Sequence, residues 1–214
     1  MIDLYCERTA AGLWAEPLNA VTNLGFLLVA FAIWRTGTPR GQADVRLFVA
    51  LLAAIGIGSG LFHTFATPWA QWLDVLPILL FQLAFLACYL ARVTHLAIPR
   101  VVAATTAFLL TALGAAQARE VLNGSLGYLP ALLVLAWLGH DAWRRAGERR
   151  LAGAAGLFVV ALTARTADQA LCPAWPWGTH FLWHLCNAAV LGLAISAYAR
   201  LRRHAPPGGV TAGA

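Results

Sequence analysis

The chain contains no lysine, a single methionine and only nine acidic residues in 214 positions. Charged residues make up 11% of it, where a soluble domain carries about 25%. A surface so poor in charge excludes an ordinary water-soluble enzyme. Also missing are strand-like alternation of apolar and polar residues, a repeat of fixed period and any linker, so neither a β-rich fold nor a tandem array is expected. The fifteen basic residues are all arginine and give a net charge of +6, with a pI near 9.8. Nucleic-acid binding needs such charge gathered on a water-facing surface. Here the arginines stand in short clusters between long apolar runs, so no nucleic-acid partner is expected.

What is present is hydrophobic sequence: 60% of the residues, at a mean hydropathy of +0.70. A helix needs about 20 apolar residues to cross a bilayer. Seven such stretches run near Pro17–Trp34, Val45–Ala66, Gln71–Ala91, Val101–Ala118, Leu126–Trp143, Leu151–Thr166 and Thr179–Leu201. The expected fold is therefore an all-α membrane protein, a seven-transmembrane helix bundle forming one domain over residues 1–203. The tail His204–Ala214, rich in proline and glycine, is expected to be disordered. Twelve arginines fall on one side of the bundle: Arg35, Arg40 and Arg46, then Arg92 and Arg100, then Arg144, Arg145, Arg149 and Arg150, and finally Arg200, Arg202 and Arg203. Arg8 and Arg119 fall on the other side, and Arg165 within the sixth span. The excess of arginine inside predicts an external N-terminus and a cytoplasmic C-terminus. Met1–Glu16 carries Asp3, Glu7 and Glu16 against Arg8, unlike the basic start of a cleavable signal.

Ionisable side chains at membrane depth are costly and mark function by default. Ser59 and His63 stand at the outer end of span two, Asp74 opens span three, and His180 and His184 open span seven. By the expected topology all five share one depth. His180 and His184 are four residues apart and lie on one helix face. Two imidazoles from one helix and one from a neighbour supply three corners of a tetrahedral zinc site, leaving the fourth open as catalytic sites do. Zinc lowers the pKa of water towards 7. Asp74 is placed to act as general base, and Ser59 either to orient the bound water or to donate a hydrogen bond to a developing oxyanion. The same residues could instead serve a seven-helix lipid receptor or lipid-binding protein with a structural zinc. A transporter is disfavoured, because no polar relay continues through the spans.

This constellation resembles the alkaline ceramidase family, related to the adiponectin receptors. The family pattern is Ser-x-x-x-His, an Asp eleven residues on, and His-x-x-x-His in the last helix. Ser59/His63, Asp74 and His180/His184 match it, as do Tyr5–Glu7 and the Ala-Glu-x-x-Asn-x-x-x-Asn of Ala15–Asn23. The resemblance implies hydrolysis of the amide bond of ceramide, or of a similar N-acyl lipid, to a fatty acid and a sphingoid base. It also implies a calcium site beside the zinc, for which Asp3, Tyr5, Glu7 and Glu16 are the candidates here. Asp3 is one residue off register and Thr9 stands in place of an Asn ligand. Cys6 and Cys172 both fall on the external side, where disulfides persist, and the resemblance favours their pairing. Cys88 and Cys186 lie within spans as packing residues. Arg165 and Asp168, three apart, are expected to form an ion pair. The arginine-only, alanine-rich composition suggests a bacterial cytoplasmic membrane, with the site facing the periplasm.

Overall fold

The computed structural model describes residues 1–36, 41–118 and 121–204, which are helical with no strand among them. The elements are α1 (Pro17–Thr22), α2 (Leu24–Arg35), α3 (Ala43–Phe65), α4 (Pro68–Arg92), α5 (Ile98–Ala115), a 3₁₀ stretch over Val121–Tyr128, α6 (Leu129–Ala146), α7 (Arg150–Leu171) and α8 (His180–His204). Taken with α1–α2 as one span and the 3₁₀ stretch joined to α6, seven helices are long and apolar enough to cross a membrane.

Local chemistry sets the ends of these helices. A proline occupies the first turn of α1, α4, α5 and α6, where its missing N–H is not needed. The chain leaves α3 through a left-handed Ala66 ahead of Pro68, and leaves α6 through a left-handed Gly147. Several boundaries differ from expectation. The first span breaks at Asn23. The α-helix of the fifth begins at Leu129, because a 3₁₀ stretch runs through Tyr128 ahead of it. The sixth runs on to Leu171, which brings Asp168 inside the helix. His204 closes α8 rather than opening the tail. The expectation for the remainder of the tail lies outside the described residues.

Many large apolar side chains point outwards, including Leu28, Phe31, Ile57, Leu110, Leu133 and Val160. That surface suits hydrocarbon, not water. Inside, Phe48 meets Phe81, Phe85 and Tyr198 ring to ring, with Leu52, Ile55 and Ile195 buried around them. At the end of α3 away from His63, Asp44 accepts from Tyr198 and pairs with Arg202. Asp141 and Glu148 pair there with Arg145 and Arg200.

α3 packs along α4 and α7 along α8. The first contact depends on Gly58: a Cβ there would stand 1.9 Å from the carbonyl oxygen of Leu73. Pro77, inside α4, has no N–H to offer the carbonyl four residues before it, which is that of Leu73. Glycine on one helix and proline on the other thus press the two backbones together one residue before both Ser59 and Asp74.

Candidate metal centre and its pocket

His63 leaves the last turn of α3, while His180 and His184 occupy the first two turns of α8. All three are buried to 1% exposure. One ring nitrogen from each lies within 4.8 Å of the others, and their ring centroids are 4.6 to 5.3 Å apart. The two helices therefore bring together the three histidines singled out by spacing.

The hydrogen bonds fix which nitrogens face inwards. Nδ1 of His63 meets the Glu16 carboxylate at 2.5 Å. A carboxylate only accepts, so Nδ1 carries the proton and Nε2 keeps its lone pair. Nδ1 of His184 lies 3.0 Å from the Thr22 hydroxyl. That hydroxyl spends its own proton on the Leu18 carbonyl at 2.8 Å, so it accepts from Nδ1 and leaves Nε2 bare. Both Nε2 atoms, and Nδ1 of His180, are buried without a partner. Three clustered imidazoles, each with an orphaned ring nitrogen, are what a divalent cation preferring nitrogen requires, and the donor set fits a metal ion. The ring of Tyr5 stacks on His180 at 3.7 Å.

Asp74 and Ser59 join His180 and His184 on the wall of a single cavity of about 100 Å³. Asp74 lies beside Ser59 and within electrostatic reach of His63. Away from these polar groups the cavity runs between the helices along Phe81, Phe85, Phe108, Leu138 and Ala194. The arrangement can hold a cation, move a proton at the Asp74 carboxylate and donate a hydrogen bond from Ser59, at the head of an apolar channel.

The residues expected to hold calcium do not fit that ion. Asp3 is exposed. Both oxygens of Glu7 accept backbone N–H groups, from Leu18 at 2.7 Å and Asn19 at 2.8 Å, and burial pushes its carboxyl above the ordinary range. The Tyr5 carbonyl accepts the N–H of Arg8. Glu16 accepts from His63, from Asn19 and from Nε of Arg8. Burial works against its charge, but these partners hold its carboxyl below the usual range. Arg8 is itself buried and donates from Nη2 to the His63 carbonyl at 2.9 Å. Calcium wants six to eight free oxygens. A guanidinium already stands among these.

The expected Arg165–Asp168 ion pair is also absent. Asp168 accepts three backbone N–H groups instead, from Cys6 at 2.9 Å, Thr179 at 2.7 Å and His180 at 2.9 Å. It thereby caps α8 and fastens the N-terminal segment. The Cys6–Cys172 disulfide closes the same junction. Gly178 lies in the crowd with φ +62°, and a Cβ there would come within 2.2 Å of Asp168. Arg165 turns the other way, towards Tyr5, Tyr128 and Trp183.

Sequence reasoning missed Arg8, which counted only as an external charge, and Thr22. The signal for Thr22 was available: Glu16, Asn19 and Thr22 recur every three residues, a polar stripe on an otherwise apolar span. No curated protein matches the chain. The family model described as Ceramidase matches residues 4–207, taking in all seven apolar helices, the histidine cluster and Asp74. The chain accordingly belongs to the Ceramidase family of membrane-embedded, metal-dependent hydrolases that act on lipids.

Proposed function

We propose that the protein is an intramembrane zinc-dependent amidase that hydrolyses the amide bond of ceramide or a similar N-acyl lipid to a free fatty acid and a sphingoid base or amine. The observation that carries this reading is a cluster of three buried histidines, two of which, His180 and His184, line one largely apolar cavity together with Asp74 and Ser59. His63, His180 and His184 would hold the zinc. When bound, it supplies Lewis acidity, polarising a carbonyl and making water acidic near neutral pH.

The residues of the chain divide the remaining work. The apolar channel takes the acyl chain and excludes water from it. Asp74 accepts the proton of the attacking water and delivers it to the departing amine, the usual economy of a single carboxylate in amide hydrolysis. Ser59 donates to the carbonyl oxygen as negative charge builds there. Glu16 and Thr22 hold two imidazoles in the tautomer that keeps Nε2 bare. The arginine distribution supports a site on the non-cytoplasmic side, with the N-terminus external, as in a bacterial cytoplasmic membrane. Residues 1–203 act as one domain.

The test is metal analysis together with mass spectrometry of lipids after incubation of the purified protein with a panel of N-acyl lipids. We expect about one zinc per chain and release of fatty acid. His184→Ala loses both. Asp74→Ala keeps the metal and lowers turnover by about 10²- to 10⁴-fold. Zinc-loaded protein that releases fatty acid from no amide lipid rejects the enzyme and returns the chain to a receptor or lipid-binding role.

A further inference from the structure

Arg165 has the wrong company for a structural arginine. It sits in α7 with its guanidinium 5.4 to 5.6 Å from the ring centroids of Tyr5, Tyr128 and Trp183. Its Nη1 donates to the Tyr5 hydroxyl at 3.0 Å, while its Nε is buried without any partner. No carboxylate among the described residues forms an ion pair with it, and Asp168, the neighbour placed to do so, is committed to backbone N–H groups. Burial pushes the Tyr5 phenol up to about 12, so Tyr5 meets Arg165 as a neutral acceptor and brings no compensating charge. The Asp74 carboxylate acts on Arg165 electrostatically across the inner cavity, but no ion pair closes on this half-buried guanidinium, and a partly desolvated cation without a contact partner is disfavoured. Three aromatic faces lower that cost and leave Nε without an acceptor.

The position of Arg165 says what the fork faces. Together with Tyr5 and Tyr128 it forms the wall shared by two cavities. Asp74, Ser59, His180 and His184 line the inner one, which continues along apolar side chains. The outer one opens between the N-terminal segment, the start of α4, the end of α5 and the 3₁₀ stretch, beside Gln71, Trp72 and Asn123, and no Asp or Glu among the described residues lines it. An amide lying at the histidines with its acyl chain in the inner channel sends its amine half past Arg165 into the outer cavity.

On the amidase reading above, we propose that Arg165 is a specificity-determining residue that binds an anionic group, a carboxylate or phosphate, carried on the amine half of the substrate close to the amide nitrogen. The planar fork accepts such a group bidentately. Within the N-acyl lipids of the amidase reading, acidic ones, N-acyl amino acids being the simplest, are thereby preferred to neutral amides of the same chain length, ceramide among them.

The test compares N-oleoyl-serine, N-oleoyl-serinol phosphate and neutral N-oleoyl-serinol on wild type, Arg165→Lys and Arg165→Gln. In kcat/KM the wild type favours the two anionic amides by about ten- to a hundredfold. Arg165→Gln removes that preference, chiefly through KM, and Arg165→Lys restores part of it. Equal loss on all three amides, or a wild type that favours the neutral one, overturns the proposal. Melting of the same proteins with each lipid gives a reading that needs no turnover. The anionic lipids should raise the wild-type melting temperature more than N-oleoyl-serinol does, and the difference should vanish in Arg165→Gln. Equal shifts overturn the anion site even where amidase activity is present. An anion-dependent shift without hydrolysis upholds the site while rejecting the amidase. Oleate alone is the remaining arm: if it shifts the melting as strongly as N-oleoyl-serine, Arg165 holds the product carboxylate and the assignment to the amine half is wrong.

Discussion

Two arginines are drawn into the same end of the bundle and treated in opposite ways. Arg8 is saturated: Nε on Glu16, Nη2 on the His63 carbonyl, Nη1 towards the Met1 sulfur. Arg165 has one phenol, three ring faces and a bare Nε. The first is bonded on every side and holds a carboxylate that in turn holds a metal-binding imidazole. The second keeps its donors free beside the cavity. A buried charge whose partners all come from the fold is part of the scaffold. One whose Nε meets no acceptor from the fold, beside a cavity, is on the proposal above a seat for a group from outside.

The difference can be broken by experiment. Arg8→Met should have the largest effect, because it strands the Glu16 carboxylate in the interior. Loss of one partner of a buried pair costs about 3–5 kcal/mol, read as a lower melting temperature in detergent. Melting like the wild type would show that Arg8 supports nothing. Glu16→Gln comes next: replacing the charged acceptor behind His63 with a neutral amide should weaken zinc affinity about 10- to 100-fold, measured by chelator competition. Thr22→Val acts on His184 through a neutral hydroxyl and should weaken the same affinity by about tenfold, the lower end of that range. If it exceeds Glu16→Gln, the ranking of the two supports is inverted. Arg165→Met should change lipid-free melting by less than about 1 kcal/mol, in either direction, since it removes an unpaired charge along with its ring contacts. A fall as large as that of Arg8→Met would make the two arginines alike. Calcium chelation should change nothing in melting or zinc content, because Arg8 already fills the cation's place.

The sequence made the bundle legible because membrane spans need only length and apolarity, and arginine clusters mark their ends. The histidine cluster was legible for a related reason. His180 and His184 share a face through helix periodicity, and the end-of-span positions of His63 and Asp74 give their depth. What stayed hidden depended on competition between donors. From the sequence Asp168 had a cation three residues away. In the fold it has the N–H groups of Cys6, Thr179 and His180, which no spacing rule reveals. Glu7 and Glu16 likewise read as calcium ligands until α1 and Arg8 claim their oxygens. The break at Asn23 was hidden too, because it lies within an apolar run.

The knot of Asp168, Cys6, Cys172 and Gly178 has a mechanical consequence. Hydrogen bonds, a covalent bridge and a spot with no space for a methyl group tie α7, the N-terminal segment and the start of α8 into one rigid body. The 3₁₀ stretch is held to α7 as well, through Asn123 and Ser125, so whatever widening is needed to admit a bulky lipid must come from α4 and α5, which border the outer cavity on the facing side.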